Sequence, residues 1–146
     1  MTLYLGADHR GFKLKEKLKK WLAEKKIKFE DLGAKKFDPN DDYPDIAQKA
    51  TKEIVKKENK GILICGSGAG VAITANKVKG ARAAVGFNPR QVKKMVEDDN
   101  LNILCLAADH IGKFKAFQLT KIFITTQFKN KGKHLRRVEK IRGMEK

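Results

Sequence analysis

Residues 61–70, GILICGSGAG, indicate how this chain of 146 residues folds. β-favouring apolar residues lead into Cys65, and glycines follow at positions 66, 68 and 70. An apolar run of strand length that ends in a glycine-rich turn predicts a buried strand followed by a helix. Backbone N–H groups at such a turn favour an anion. Cys65 is then either a buried structural residue or a reactive thiol above an anion-binding loop.

The segments around this stretch alternate between strand and helix patterns. Apolar residues in the first helix recur at helical period and its lysines occupy the other face, while Asn88 and Pro89 mark the start of a later helix. Helix-length connections between strands predict an α/β protein. We expect one domain, residues 1–146, with a three-layer Rossmann-like fold: a five-stranded parallel sheet, helices on both faces and an extra C-terminal helix. Strands are predicted at 2–6, 26–33, 61–65, 81–87 and 101–107, and helices at 11–24, 44–58, 69–78, 88–98, 111–128 and 134–144.

Composition limits the classes of function. The net charge of +16 suits anionic partners, either nucleic acid or small molecules. Nucleic acid is the less favoured partner, because the phenylalanines are scattered and not interleaved with the basic cluster of residues 128–146. No apolar run is long enough for a bilayer, and the N-terminus lacks the pattern of a signal peptide. The two cysteines have no metal-ligand or disulfide spacing, which predicts a reducing, cytoplasmic setting.

Ligands of doubly wound sheets bind outside the carboxyl ends of the strands. Asp8 and His9 follow the first predicted strand, where an acid beside a base is a candidate site. Cys65 follows the third strand, where N–H groups at a helix start favour a thiolate that could act as base or nucleophile. Ser67 could pass on or stabilise a proton, or simply cap the helix.

Two basic residues near the C-terminus form a second candidate. Lys133 and Arg137 are four residues apart, so they share a helix face if the last helix begins early. Such a pair can grip a phosphate or can be a solvated basic face. This helix has no strand of its own to cover, and we expect it to pack on, or reach across to, a partner subunit. Cys105 lies inside an apolar strand and is predicted to be a core residue.

Taken together, these motifs resemble the ribose-5-phosphate isomerase B / galactose-6-phosphate isomerase family. The resemblance rests on GADHRGFKLK (6–15), DYPDIA (42–47), GILICGSGAGVAITANKVKGARAAV (61–85) and KHLRRVEKI (133–141). It implies aldose–ketose isomerisation of a sugar phosphate through a cis-enediol, most simply ribose 5-phosphate to ribulose 5-phosphate, without metal or cofactor. It also implies a homodimer, or a dimer of dimers, with sites shared between subunits.

The resemblance assigns roles to individual residues. Cys65 corresponds to the family's base, with Ser67 as the hydroxyl residue two positions later. Asp8 and His9 correspond to an Asp-His pair that contacts substrate, and Tyr43 to a pocket tyrosine. The glycine-rich loop would stabilise the enediolate oxygens through its N–H groups, as an oxyanion hole does; it comprises Gly66, Ser67, Gly68, Ala69 and Gly70.

Some positions depart from the family pattern. Asp98 and Asp99 replace a common His-Asn pair whose His is proposed to open the sugar ring. A carboxyl group could be that ring-opening acid only with a raised pKa. Lys133 replaces a phosphate-binding arginine and keeps the charge without the bidentate fork, while Arg137 is retained.

Asp109 is the departure that bears most on the substrate. It stands where many members carry a phosphate-binding arginine, and His110 follows it. An acidic side chain there would repel a phosphate, so either His110 and nearby lysines compensate or the substrate differs from ribose 5-phosphate. The alternatives are an isomerase of a six-carbon or branched sugar phosphate, or a catalytically weakened basic protein that binds RNA on the same scaffold.

Overall fold

The computed structural model describes all residues, 1–146, as one alternating series of strands and helices. No helix is long and apolar enough to cross a membrane. The five strands are β1 (Leu3–Ala7), β2 (Phe29–Asp31), β3 (Lys60–Cys65), β4 (Ala83–Val85) and β5 (Ile103–Ala107). The six helices are α1 (Phe12–Glu24), α2 (Tyr43–Lys56), α3 (Ala69–Ala75), α4 (Pro89–Asp99), α5 (Lys113–Thr125) and α6 (Gly132–Arg142).

All neighbouring strands pair in parallel, in the order β2-β1-β3-β5-β4. The chain leaves β1 toward one edge of the sheet and leaves β3 toward the other. The carboxyl ends of β1 and β3 therefore form the crevice where doubly wound sheets bind ligands. Backbone hydrogen bonds extend the pairing beyond the strands, because Asp8 N donates to Ile64 O and Ala108 N to Cys65 O. The carboxyl edges of the central strands β1, β3 and β5 are thus held together.

The sheet separates two apolar cores, one on each face. One core packs α1, α4 and α5 against the sheet, and the other packs α2 and α3. Successive side chains of β3 alternate between them: Ile62 and Ile64 face the first core, and Leu63 and Cys65 the second. A strand buried on both faces reads as a continuous apolar run, which explains the pattern ILIC.

The predicted order of elements and the three-layer fold are confirmed, with element ends shifted by a few residues. The short strands β2 and β4 show the largest difference, since only three residues of each pair with β1 and β5. Asn88 caps α4 as expected, because its side chain accepts a hydrogen bond from Gln91 N.

The prediction that the lysines of α1 face away from the core is wrong for Lys15, which is fully buried. Its ammonium group donates to both carboxylate oxygens of Asp31, at 2.8 and 2.9 Å, and to the carbonyl oxygen of Ala34. Burial alone would raise the pKa of Asp31, but hydrogen bonds from Lys15, Lys19 and the Gly33 N–H hold it below its ordinary value. A buried lysine is tolerated here because a carboxylate pairs with it.

Candidate active site

Cys65 ends β3 directly beneath the glycine-rich turn that opens α3. Its side chain is buried among the residues of the second core. Gly68 caps α3 with φ 77°, a left-handed conformation that favours glycine. Ser67 is exposed, and its Oγ accepts a hydrogen bond from Ala69 N at 3.2 Å. The prediction that Ser67 caps the helix is wrong, because Gly68 is the N-cap of α3; the hydroxyl of Ser67 instead helps hold the turn and stays accessible.

Side chains contact the loop at both of its ends, which explains why positions 66 and 70 are glycines and have no Cβ atom. A Cβ atom at Gly66 would lie 2.7 Å from Arg10 Nε and 2.7 Å from an Asp109 carboxylate oxygen. A Cβ atom at Gly70 would lie 2.5 Å from Cε1 of Tyr43. The structure therefore places Tyr43 against the far end of the loop, and Arg10 and Asp109 against its start.

The side chains of Asp8 and His9, in the turn after β1, are both held by hydrogen bonds. Asp8 is buried, and its Oδ1 accepts hydrogen bonds from Arg10 N and Gly11 N, at 3.0 and 3.1 Å. His9 contacts the polar loop before α2, where its Nδ1 lies 2.7 Å from Asp41 Oδ1. This hydrogen bond raises the pKa of His9 above its ordinary value. The predicted Asp-His pair is thus rigidly held at the carboxyl edge, next to β3.

Asp41 is a functional candidate that sequence reasoning missed. It belongs to the polar loop before α2, 32 residues from His9, and it also accepts the backbone N–H of His9 at 3.0 Å. Ligand atoms of Asp8, His9 and Asp41 come within 4.8 Å of one another, a spacing compatible with a metal ion. Oδ1 of Asp8, Nδ1 of His9 and Oδ1 of Asp41 are engaged in the hydrogen bonds just described, whereas Oδ2 of Asp41 is buried without a partner. The cluster therefore supports the His9 ring and keeps one carboxylate oxygen unpaired.

Arg10 and Asp109 form an ion pair across the start of the loop. Asp109 follows β5, and its backbone N–H donates to Gly66 O at 3.0 Å. The acidic residue expected to repel a phosphate is thus neutralised by a cation on the β1 turn, and not by His110. The two residues lie 99 positions apart, and no local pattern connects them.

The remaining predicted site residues lie elsewhere in this chain. Asp98 and Asp99 end α4, which runs from the carboxyl end of β4 back to the amino end of β5, so they lie at the opposite edge of the sheet from Cys65. Lys133 and Arg137 are exposed on the first turns of α6, whose early start at Gly132 places them on one helix face. One chain therefore does not bring these four residues to the thiol.

His134 is a second candidate that sequence reasoning missed. Its Nδ1 lies 3.6 Å from Asp98 Oδ1, and both atoms are buried without a hydrogen-bond partner in the chain. Lys133 and Arg137 flank this pair on α6. Its neighbours in the sequence, KHLRR, signal a basic face, but only the packing of α6 on α4 shows that an imidazole meets a carboxylate there.

Two further features of the chain are structural. Cys105 is a core residue, as expected, and burial raises the pKa of its thiol strongly. A cavity of about 490 Å³ lies at the amino edge of the sheet, under α6. Two of its four cations, Lys60 and Arg82, donate to backbone carbonyls, and no His or Cys lines it. The thiol of Cys65 and the imidazole of His9 therefore lie outside this cavity.

The fold and the site define a class: a doubly wound α/β protein with a thiol and an Asp-His pair beside a glycine-rich loop at the carboxyl edge of the sheet. Residues 3–141 match the sequence profile of the family described as Ribose/Galactose Isomerase. The chain belongs to this family.

Individual relatives agree with this assignment. The protein called probable ribose-5-phosphate isomerase B of Mycoplasma genitalium is 37% identical over 99% of this chain and 96% of its own length. A crystal structure of ribose-5-phosphate isomerase B from that organism, with bound ribulose 5-phosphate, has a TM-score of 0.91 and 35% identity over 97% of this chain and 94% of its own. D-erythrulose-4-phosphate isomerase 2 of Mycolicibacterium smegmatis is 34% identical over 88% of this chain and 86% of its own length.

Proposed function

We propose that this protein interconverts ribose 5-phosphate and ribulose 5-phosphate through a cis-enediol, with Cys65 as the base. The observation that carries the proposal is the position of the Cys65 thiol, at the end of β3 beneath the N–H groups that open α3. The relatives named for ribose-5-phosphate isomerase B support this substrate. The free thiols of Cys65 and Cys105 suit a reducing, cytoplasmic setting.

The proposed reaction moves one proton between neighbouring carbons. The thiolate of Cys65 removes the proton from C2 of the open-chain aldose, and the electrons of that C–H bond form the C1–C2 double bond while O1 gains negative charge. N–H groups of the loop stabilise this enediolate. The thiol then returns the proton to C1 as the O2 hydroxyl loses its proton, which yields the ketose. The exposed hydroxyl of Ser67 would relay the proton from O2 to O1.

A second copy of the chain would complete this site. In one chain Cys65 lies at the carboxyl edge, whereas Asp98 and the basic face of α6 lie toward the amino edge. A two-fold axis can bring the amino edge of one copy against the carboxyl edge of the other. Lys133 and Arg137 of one subunit would then bind the phosphate held by its partner. Asp98, beside His134, would act as the ring-opening acid, with Asp99 contacting the sugar.

Mixing two inactive variants tests whether sites are shared. Cys65→Ala and Arg137→Ala each disable both sites of a homodimer, but a mixed dimer with shared sites contains one wild-type site. After random reassociation half of the dimers are mixed, so about a quarter of wild-type activity should return. If each site lies within one subunit, the mixture stays as inactive as its components.

A panel of sugar phosphates tests the substrate. We expect exchange of ribose 5-phosphate and ribulose 5-phosphate to be faster than exchange of four-carbon, six-carbon or branched substrates. The name of the M. smegmatis relative indicates a tetrose phosphate as the substrate of that protein. Faster turnover of a tetrose phosphate by this chain would show that the proposed substrate is wrong and that the proposed type of reaction is right. If no member of the panel reacts and RNA binds with a steep dependence on salt, the protein is a basic RNA-binding protein.

A further inference from the structure

The Arg10–Asp109 ion pair lies on the anion loop itself. Atoms Nε and Cδ of Arg10 and one carboxylate oxygen of Asp109 occupy the space above Gly66, where a Cβ atom would come within 2.7–3.1 Å of them. The pair therefore covers the residue that follows Cys65.

Both partners of this pair are anchored by their backbones. The carboxylate of Asp8 holds the N–H groups of Arg10 and Gly11, which fixes where the Arg10 side chain leaves the turn. The backbone N–H of Asp109 donates to Gly66 O, so the carboxylate of Asp109 is tied to the glycine that it covers. A pair that is fixed at both ends keeps its position relative to the loop.

The Arg10 guanidinium can bind an anion without releasing Asp109. A guanidinium carries five N–H donors, and Asp109 engages Arg10 through one Nη atom. The Arg10 side chain is 59% exposed, which leaves room for an anion to reach its other donors. On the basis of the proposed function, we propose that Arg10 binds the phosphate of the substrate from the subunit that carries Cys65, and that Asp109 is its positioning residue.

Depth within the site assigns Arg10 to the phosphate and not to the enediolate. The reacting carbons must meet Cys65, which is only 4% exposed at the bottom of the crevice. Arg10 and Asp109 lie at the rim, with side chains 59% and 36% exposed. In a sugar phosphate, the phosphate is the charged group that lies far from the reacting carbons. Arg10 would therefore bind ground state and transition state alike, which affects KM more than kcat.

Removal of the cation tests this assignment. We expect Arg10→Gln to raise KM for ribose 5-phosphate, and the inhibition constant of inorganic phosphate, by about tenfold or more, the loss typical of one hydrogen bond to a charged group. The value of kcat should change less than about threefold if the contact is uniform. The matched control Lys20→Gln removes one exposed charge from α1 and should leave both constants within about twofold. A tenfold fall in kcat at constant KM would instead assign Arg10 to the enediolate.

A double variant separates the positioning role of Asp109 from general repulsion. In the Arg10→Gln background the carboxylate of Asp109 faces the phosphate unpaired, so adding Asp109→Asn should lower KM severalfold. In the wild-type background Asp109→Asn should not lower KM, because Arg10 already neutralises the carboxylate. Equal effects of Asp109→Asn in both backgrounds would mean that the two residues do not act as a pair.

Calorimetric titration with inorganic phosphate keeps the test independent of the reaction. If the wild type fails to isomerise any sugar phosphate but Arg10→Gln still weakens phosphate binding about tenfold, the proposed reaction is wrong and the assignment of Arg10 stands. If the wild type isomerises ribose 5-phosphate and Arg10→Gln changes neither KM nor phosphate affinity, the assignment of Arg10 is wrong. Arg10→Lys, which keeps the charge without the fork, should lie between the wild type and Arg10→Gln.

Discussion

Replacing Gly70 with alanine tests whether Tyr43 lines the working site. A Cβ atom at position 70 would lie 2.5 Å from Cε1 and 2.6 Å from Cζ of Tyr43. Ordinary contacts between carbon atoms are about 3.5–4.0 Å, so the ring must move by about 1 Å or more. Tyr43 is 40% exposed, which leaves its ring room to swing outward. The substitution is therefore expected to displace Tyr43 and to leave the fold intact.

This displacement should affect activity far more than stability. Alanine favours a helix over glycine by up to about 1 kcal/mol, which offsets the cost of moving an exposed ring. The free energy of unfolding should change by less than about 1 kcal/mol, or less than about 4 °C in Tm. A substrate contact misplaced by about 1 Å can cost up to 100-fold in rate, so we expect kcat/KM to fall by about 10- to 100-fold.

The assay is steady-state isomerisation of ribose 5-phosphate, with thermal unfolding measured on the same samples. Gly112→Ala is the matched control, because a Cβ atom there meets nothing within 4 Å, and it should keep wild-type activity. In a Tyr43→Ala background Gly70→Ala should add little, since the ring that it displaces is gone. An unchanged kcat/KM for Gly70→Ala, or an equal loss in the Tyr43→Ala background, would refute the role given to Tyr43.

Three further predictions concern the parts that hold the site. The NMR titration midpoint of His9 should lie above 6.5 and move back toward it in Asp41→Asn; the stabilisation from this pair is present below pH 6.5 and is lost as pH rises through the raised pKa. Asp31→Ala strands the buried ammonium of Lys15 and should cost about 3–5 kcal/mol in urea unfolding. Because the pKa of Asp31 is lowered, its contribution is present above the ordinary value of 3.8 and is lost as pH falls through the native pKa. Gly68→Ala places a side chain at φ 77° and should cost about 1–2 kcal/mol.

Each of these predictions has a contradicting result, and the two predictions about stability also have a control variant. Glu30→Ala, an exposed neighbour of Asp31 without an ion pair, should change stability by less than about 0.5 kcal/mol; an equal loss in both variants would show that the buried pair contributes nothing special. Gly112→Ala is also the control for Gly68→Ala. Equal stability of these two variants would contradict the strain expected for an alanine in the left-handed conformation of position 68. A His9 midpoint that Asp41→Asn does not move would remove Asp41 from the site.

The order of elements could be predicted because its signals are local. The run ILIC, the glycines after it, and Asn88-Pro89 each indicate an element within a few residues. The insertion of β5 between β3 and β4 could not be predicted, since it depends on packing between distant segments. Lys15 shows the same limit: its position on α1 looks solvent-exposed until β2 brings Asp31 beside it.

The candidate site likewise contains residues that the local sequence predicts and residues whose role depends on distant partners. Cys65 and the Asp8-His9 pair could be predicted because each follows a strand directly in the sequence. Arg10 could not be assigned, because its partner Asp109 is 99 residues away and the meaning of each charge depends on the other. The pairing of Asp98 with His134 likewise exists only because α6 packs on α4.

The most direct test of the account replaces the thiol at Cys65 and follows the proton. Ribulose 5-phosphate is incubated in D₂O with wild type, with Cys65→Ala and with the matched core variant Cys105→Ala, and NMR follows aldose formation and deuterium uptake at carbon. We predict that Cys65→Ala loses both by about 10²- to 10⁴-fold while still binding inorganic phosphate. Cys105→Ala should keep both rates per folded molecule. Isomerisation by Cys65→Ala at the wild-type rate would contradict the central claim that this thiol is the base.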